Sequence, residues 1–291
     1  MIVVFGSINV DVLVPVPHLP ARGETVLGGD YRVAPGGKGA NQALAARRAG
    51  ADVFMAGAVG DDSFAAIGLN LLRRDGVDLS LVATVDRPTG CATITVDADG
   101  ENQIAVASGA NLEARAGQVP DRLLEPATVL ALQREVLGDE NAALIARARA
   151  RGARIIMSLA PAGPLGPARL DDIDLLIANE GEAAMLGEPQ TVARGLRHAL
   201  VVTRGAAGAT AFLTNGAVLA VPALAVEPAD TTGAGDTFAG VLAAGLDAGL
   251  ALEPALRRAS VAAALSCLAL GAQEAMPSRA AIDSAVLRLG R

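Results

Sequence analysis

The residues Asp230-Thr231-Thr232-Gly233-Ala234-Gly235-Asp236-Thr237-Phe238 set a carboxylate directly behind a glycine-rich turn. Phe238, Val241, Leu242 and Leu246 follow at helical spacing, so Gly233 to Gly235 form the turn before a helix and expose the unpaired backbone N–H groups of its start. Such a start attracts phosphate oxygens. Asp236, in the first turn, would sit beside the bound anion, where a carboxylate can take a proton from an attacking hydroxyl. The chemistry this suits is phosphoryl transfer. Taken alone, the segment also admits a second reading, in which Asp236 only caps the helix and the glycines only allow the turn. Spacing excludes two other phosphate motifs. G-x-G-x-x-G fails at Phe238, and a P-loop fails because Gly39 follows Gly37-Lys38 and Arg32 stands where its first glycine belongs.

Two further polar segments fall at the ends of predicted elements. In Gly6-Ser7-Ile8-Asn9-Val10-Asp11, Asn9 and Asp11 share one face of an extended chain just past the first strand, an arrangement that can bind vicinal hydroxyls. Gly36-Gly37-Lys38-Gly39-Ala40-Asn41-Gln42 supplies exposed backbone, a cation and an amide at a helix start. A polar turn and a solvated lysine are the plainer readings of these two.

The elements that must position these groups alternate. Ile2–Phe5, Val53–Ala58, Thr128–Leu132, Ile155–Leu159, Leu175–Ile177 and Leu200–Thr203 are short, apolar runs that read as strands. Between them Asn41–Ala49, Phe64–Arg74, Asn141–Ala150 and Glu180–Leu186 read as helices, which predicts a parallel sheet covered on both faces. Val10–Val16, Tyr31–Val33, Cys91–Val96 and Gln103–Val106 break that rhythm as antiparallel strands around the Asp99-Gly100 turn. They predict a small separate sheet, from insertions at about 10–34 and 89–107, that could act as a lid over one 1–291 domain. Pro161, Pro164 and Pro167 with Gly163 and Gly166 mark a rigid loop, and Val261 to Leu270 a packed helix.

Composition narrows the classes. With 291 residues and 52% hydrophobic content the chain can bury a substantial core. A net charge of −7 and 2% aromatics argue against a nucleic-acid surface. Cys91 and Cys267 form neither a disulfide framework nor a metal spacing, and His18 and His198 stand alone, so a cytoplasmic protein without a histidine metal site is expected. The start, Met1-Ile2-Val3-Val4-Phe5, reads as a buried strand, with no signal peptide and no membrane span.

Over nearly its whole length the chain resembles the ribokinase (pfkB-type) family of sugar and nucleoside kinases. The resemblance lies in Gly6–Asp11, Gly23-Glu24-Thr25, Gly36–Gln42, Gly60-Asp61-Asp62-Ser63, Gly109-Ala110-Asn111, Asn179-Glu180-Gly181-Glu182, Thr203-Arg204-Gly205, Asp230–Phe238 and Gly271-Ala272-Gln273. It implies a three-layer α/β/α fold with a mostly parallel central sheet and a small β-sheet lid. The implied activity is ATP-dependent phosphorylation of D-ribose at its 5-hydroxyl. Another acceptor of the same class (2-deoxyribose, fructose, adenosine) or a non-catalytic sugar sensor is the alternative. A nicotinamide dehydrogenase is disfavoured by the missing third glycine.

Residue by residue, the resemblance makes Asp236 the base and Gly233, Ala234 and Gly235 an anion hole. Asn9, Asp11, Gly37, Lys38, Asn41 and Glu135 would hold the sugar. Asn179 and Glu182 would organise Mg²⁺ through water, while Thr203, Gly205, Gly208, Gly235 and Ser260 contact ATP. Asp230, Thr232 and Gly271 would bind a monovalent cation, K⁺. There the chain departs from the pattern, because Glu274-Ala275-Met276-Pro277 lacks the usual serine. Ser158-Leu159-Ala160-Pro161 and the short Gly187–His198 stretch depart as well. Lids of this family often pair between subunits, which implies a homodimer.

Overall fold

Strand β1 (Ile2–Phe5) is buried along its whole length and divides its side chains between two cores. Ile2 and Val4 enter one apolar cluster and Val3 and Phe5 the other, as the two-residue period of a strand covered on both faces requires. The computed structural model describes residues 1–163 and 167–289. Pro164 and Gly166 of the predicted rigid loop lie outside them.

The other strands of the main sheet are β4 (Val53–Gly60), β5 (Asp78–Val85), β8 (Val129–Leu132), β9 (Arg154–Ser158), β10 (Leu175–Asn179), β11 (Ala199–Thr203), β12 (Ala209–Leu213) and β13 (Val218–Val221). Their order is β13-β12-β11-β10-β9-β8-β1-β4-β5. All neighbours run parallel except β12 and β13, which fold back antiparallel at one edge. The edge strands β5 and β13, and β12 beside β13, were not legible as strands in the sequence.

One face is covered by α1 (Lys38–Arg48), α2 (Ser63–Arg74), α6 (Ala234–Asp247), α7 (Leu252–Ser266) and α8 (Arg279–Leu289), the other by α3 (Gly138–Arg151), α4 (Glu180–Leu186) and α5 (Pro189–Gly195). This is the expected three-layer α/β/α arrangement. Among the described residues no helix is long and apolar enough to cross a membrane.

A second, four-stranded sheet has the order β3-β2-β6-β7, from β2 (Asn9–Pro15), β3 (Arg32–Gly36), β6 (Gly90–Val96) and β7 (Asn102–Ala107). It is not wholly antiparallel as the sequence suggested, because β2 and β6 pair in parallel. The reason lies in the main sheet. Strands β1 and β5 run in the same direction, and β2 and β6 are the next strands after them in the chain. The helix expected to reach Leu270 stops at Ser266, where the Cys267 carbonyl accepts the N–H groups of Ala229 (2.7 Å) and Asp230 (3.3 Å) and turns the chain out.

Candidate active site

The residues expected to hold the sugar come together because the β1–β2 connection packs directly against the start of α1. Gly37 precedes that helix with φ 89°, and a Cβ there would lie 2.6 Å from the Asn9 N and 3.0 Å from the Ser7 O. Only glycine allows both the dihedral and the approach. The Ala40 N–H donates to the Ser7 carbonyl at 2.9 Å, which ties the two segments together.

Asp236 is 7% exposed in the first turn of α6, behind Gly233 with φ 74°. Its Oδ2 accepts from Asn41 Nδ2 at 2.9 Å and its Oδ1 from Gln42 Nε2 at 3.1 Å. Glu135 follows β8 and accepts from Ser7 Oγ at 2.5 Å and from the Lys38 backbone N–H at 3.0 Å. On β2, the Asn9 Oδ1 accepts from Asn111 Nδ2 at 2.6 Å, and Asn111 Oδ1 takes the Ile8 N–H at 2.9 Å.

Charge is concentrated here. Burial pushes the Asp11 carboxyl up to about 6, helped by the nearby Glu135, Asp236 and Glu274 carboxylates. Burial also raises Asp236, opposed by the Lys38 ammonium and the Asn41 and Gln42 amides. Lys38 is raised in turn, chiefly by Asp236, and its charge also faces Glu135, Glu182 and Asp11. A shared cation lets several carboxylates stay close without all being protonated.

Two cavities open at the start of α6, and Asp236 lines the smaller of them. The larger, about 470 Å³, is lined by Thr203, Gly205, Gly208, Ala234, Gly235, Phe238 and Ser260, with alanines and aliphatic side chains from 223 to 226. The smaller, about 190 Å³, is lined by Lys38, Asn179, Glu182, Thr203, Gly233, Gly235 and Asp236. Thr203 and Gly235 line both, so the two spaces meet at the start of α6. There Ala234 N–H is turned to the Thr231 carbonyl at 3.2 Å, while no backbone hydrogen bond among the described residues uses the N–H of Gly235 or Asp236.

Asn179 and Glu182 form a reciprocal capping box at the start of α4. Glu182 Oε2 accepts from the Asn179 N–H at 2.9 Å, and Asn179 Oδ1 from the Glu182 N–H at 2.8 Å. The pair thus caps the helix with Glu182 buried, and the same two residues also line the smaller cavity.

Asp230, Thr232 and Gly271 form a closed turn that lines neither cavity. Asp230 Oδ1 accepts from Thr232 N (2.9 Å) and Oγ1 (2.6 Å), and Oδ2 from Gly271 N (2.9 Å). Asn9, Asp11, Asn41 and Glu135 line neither cavity either. They join the site through the hydrogen bonds and charges above.

Sequence reasoning overlooked the side chains of Ser7, Gln42, Asn111 and Gln273, which hydrogen-bond to the candidate residues. Ser7, Gln42 and Gln273 lie inside glycine-bearing motifs that were already visible. Asn111 likewise closes the Gly109-Ala110-Asn111 motif, but only the fold carries it to Asn9.

Comparison with known proteins agrees with this arrangement. The profile of the pfkB family carbohydrate kinases matches residues 1–279. Ribokinase of Bacillus subtilis is 37% identical over 287 residues, covering 97% of this chain and 98% of that protein. Deoxyribokinase of Salmonella typhi is 32% identical over 295 residues, covering 95% of each. The structure of Arabidopsis thaliana ribokinase complexed with ribose and ATP superposes with a TM-score of 0.88 at 30% identity, over 98% of both chains. The match spans both sheets and every segment that builds the site, and the chain belongs to the pfkB family of carbohydrate kinases as a ribokinase-type sugar kinase.

Proposed function

We propose that the chain transfers the terminal phosphoryl group of ATP to the 5-hydroxyl of D-ribose, with Asp236 as general base. The observation that carries this is the placement of Asp236. It is buried, held by two amides, and lies between the Asn9–Glu135 cluster and the smaller cavity, which meets the larger, Ser260-lined one at Thr203 and Gly235. A ribose bound by Asn9, Asp11, Lys38, Asn41 and Glu135 would bring its primary hydroxyl to the Asp236 carboxylate, which takes the proton as the oxygen attacks. An anion hole at Gly233, Ala234 and Gly235, with the unused N–H groups of Gly235 and Asp236 and with Lys38, would offset the charge that spreads over the transferred group. Adenine would lie among the alanines near Ser260, which already donates to the Pro222 carbonyl at 2.9 Å.

Among the described residues no cluster of three or more His, Cys, Asp or Glu is arranged to hold a metal. Mg²⁺ would therefore depend on ATP phosphates and on Glu182 through water, which suits an ion that keeps several waters. When bound it would supply charge neutralisation. For K⁺, the Asp230 carboxylate and the Thr232 and Gly271 carbonyls are suitable hard donors, but Ala275 offers no side-chain oxygen, so activation should be weak.

The similarity to deoxyribokinase of Salmonella typhi favours a second reading, 2-deoxyribose as acceptor. The Asn9 and Asp11 pair argues for ribose, because a site built to bind a hydroxyl strongly rejects an analogue lacking it. ADP release with ATP, Mg²⁺ and ribose, 2-deoxyribose, fructose or adenosine decides between them. Ribose should give the highest kcat/KM, with at most a few-fold loss when choline replaces K⁺. No turnover on any of the four would defeat the kinase reading.

We also propose a homodimer that pairs through the small sheet. Ile104 (57% exposed) and Val106 (51%) stand on β7 in register with Ile94 and Ala92, and thus on the face that carries Asp11. Sedimentation equilibrium should give twice the chain mass, and a strict monomer at tens of micromolar would refute it.

A further inference from the structure

Gln273 has no role in the scheme above, although the Gly271-Ala272-Gln273 segment is part of the family resemblance. Its side chain is fully buried. Gln273 Nε2 donates to Asn41 Oδ1 at 3.0 Å, and Asn41 Nδ2 donates in turn to Asp236 Oδ2 at 2.9 Å. Gln42 Nε2 holds the other carboxylate oxygen at 3.1 Å. An asparagine amide can turn either its NH₂ or its oxygen toward a neighbour, and its partners decide which. With Gln273 presenting a donor, the Asn41 oxygen is engaged and its NH₂ is left for the carboxylate. If the amide turned over, oxygen would face oxygen at Asp236 and NH₂ would face NH₂ at Gln273.

The far end of Gln273 strengthens the case. Its Oε1 is buried with no hydrogen-bond partner among the described residues. Leaving a buried acceptor unpaired is costly, so a side chain kept only to fill space would be apolar here. The backbone is fixed as firmly. Arg48 Nη1 donates to the Gln273 carbonyl at 2.6 Å and the Met276 carbonyl at 2.9 Å, while Arg48 Nε pairs with Asp75 at 2.7 Å. Since Asn41 and Arg48 both stand on α1, residues 273–276 are clamped to that helix at two places.

We propose that Gln273 is a positioning residue for phosphoryl transfer: it sets the amide of Asn41 so that Asn41 and Gln42 together hold both oxygens of Asp236 in one orientation. This rests on the reading of Asp236 as the base. The charged groups that also face Asp236 are Lys38, Glu135 and Asp11, and none of them is bonded to Gln273.

A double-mutant cycle on the full-length chain tests it, because residues that act through one another are not additive. Gln273→Met should lower kcat about tenfold or more and raise the KM for sugar, while the KM for ATP stays within about twofold. In an Asn41→Ala background the same substitution should change kcat by less than about twofold. Equal losses in both backgrounds, or a wild-type kcat in Gln273→Met, would overturn the proposal. If Gln273→Met does not fold, Gln273→Glu keeps the shape but as a carboxylate cannot donate to Asn41. Its kcat should fall at least as far, with ATP binding by calorimetry retained, and a wild-type kcat would again overturn the idea. Asp236→Asn run in parallel separates the two readings. If that variant is active the base assignment fails, whereas an inactive Asp236→Asn beside wild-type Gln273 variants removes Gln273 alone.

Discussion

Asp236→Asn should lose about 10²–10⁴-fold in kcat, the usual contribution of a general base, while ATP and sugar still bind. The shape of the site is kept, because asparagine fills the same volume at the start of α6. One contact turns unfavourable, since Asn41 and Gln42 both donate to this side chain and an amide can accept on only one side. Calorimetric titration with ATP and with ribose, beside a steady-state assay, checks the expectation. A kcat within a few-fold of wild type would remove Asp236 from its role.

The pH dependence follows from the same burial. Desolvation raises the Asp236 carboxyl above the ordinary value of 3.8, so kcat/KM should fall on the acid side as the base becomes protonated at that raised value. The stability sign is the reverse of that for a salt-bridged carboxylate. A raised group binds its proton more tightly in the folded chain, so stability declines as pH rises from 3.8 through the folded value. The melting temperature of Asp236→Asn relative to wild type should therefore be higher at pH 8 than at pH 4. Asp11 contributes in the same sense between 3.8 and about 6.

Gly37→Ala should be strongly damaging where the β1–β2 connection meets α1. The new methyl would meet the Asn9 N at 2.6 Å, the Ser7 O at 3.0 Å and the Ile8 carbonyl carbon at 3.1 Å, all backbone atoms, at φ 89°. None of these is a flexible side-chain end, so the β1–β2 connection or the start of α1 must move. Strain of this kind costs roughly 1–3 kcal/mol, and the steric overlap adds to it. Both segments that would hold the sugar shift together, so the KM for ribose should rise tenfold or more, on the scale expected for small misplacements. The KM for ATP should change little, because Thr203, Gly205, Gly208 and Ser260 lie on other elements. Thermal melting and separate KM measurements test this, and an unchanged melting temperature with unchanged sugar KM would contradict it.

Much of the fold was legible because burial imposes a period. Strands such as Val129–Leu132 are covered on both faces and read as unbroken apolar runs, and the helices between them repeat every three to four residues. The half-exposed β5 and the antiparallel β12 and β13 carry weaker patterns and were missed. Pairing direction in the small sheet was also out of reach. Alternation along β2 and β6 is the same whether they pair parallel or antiparallel, and their direction is inherited from the main sheet.

At the site, residue types and local spacing determined the chemistry on offer. A carboxylate behind a glycine turn at a helix start, a lysine and amides at a second helix start, and paired polar groups after the first strand are local facts, set by φ angles that glycine permits and by unpaired N–H groups. What only the tertiary structure decided is which of these groups meet. Asn41 and Asp236 are 195 residues apart yet bonded at 2.9 Å, and Gln273 reaches Asn41 across 232 residues. Asn111 is brought to Asn9 in the same way. No local rule encodes such distances, because they arise from the order in which parallel strands and their helices stack.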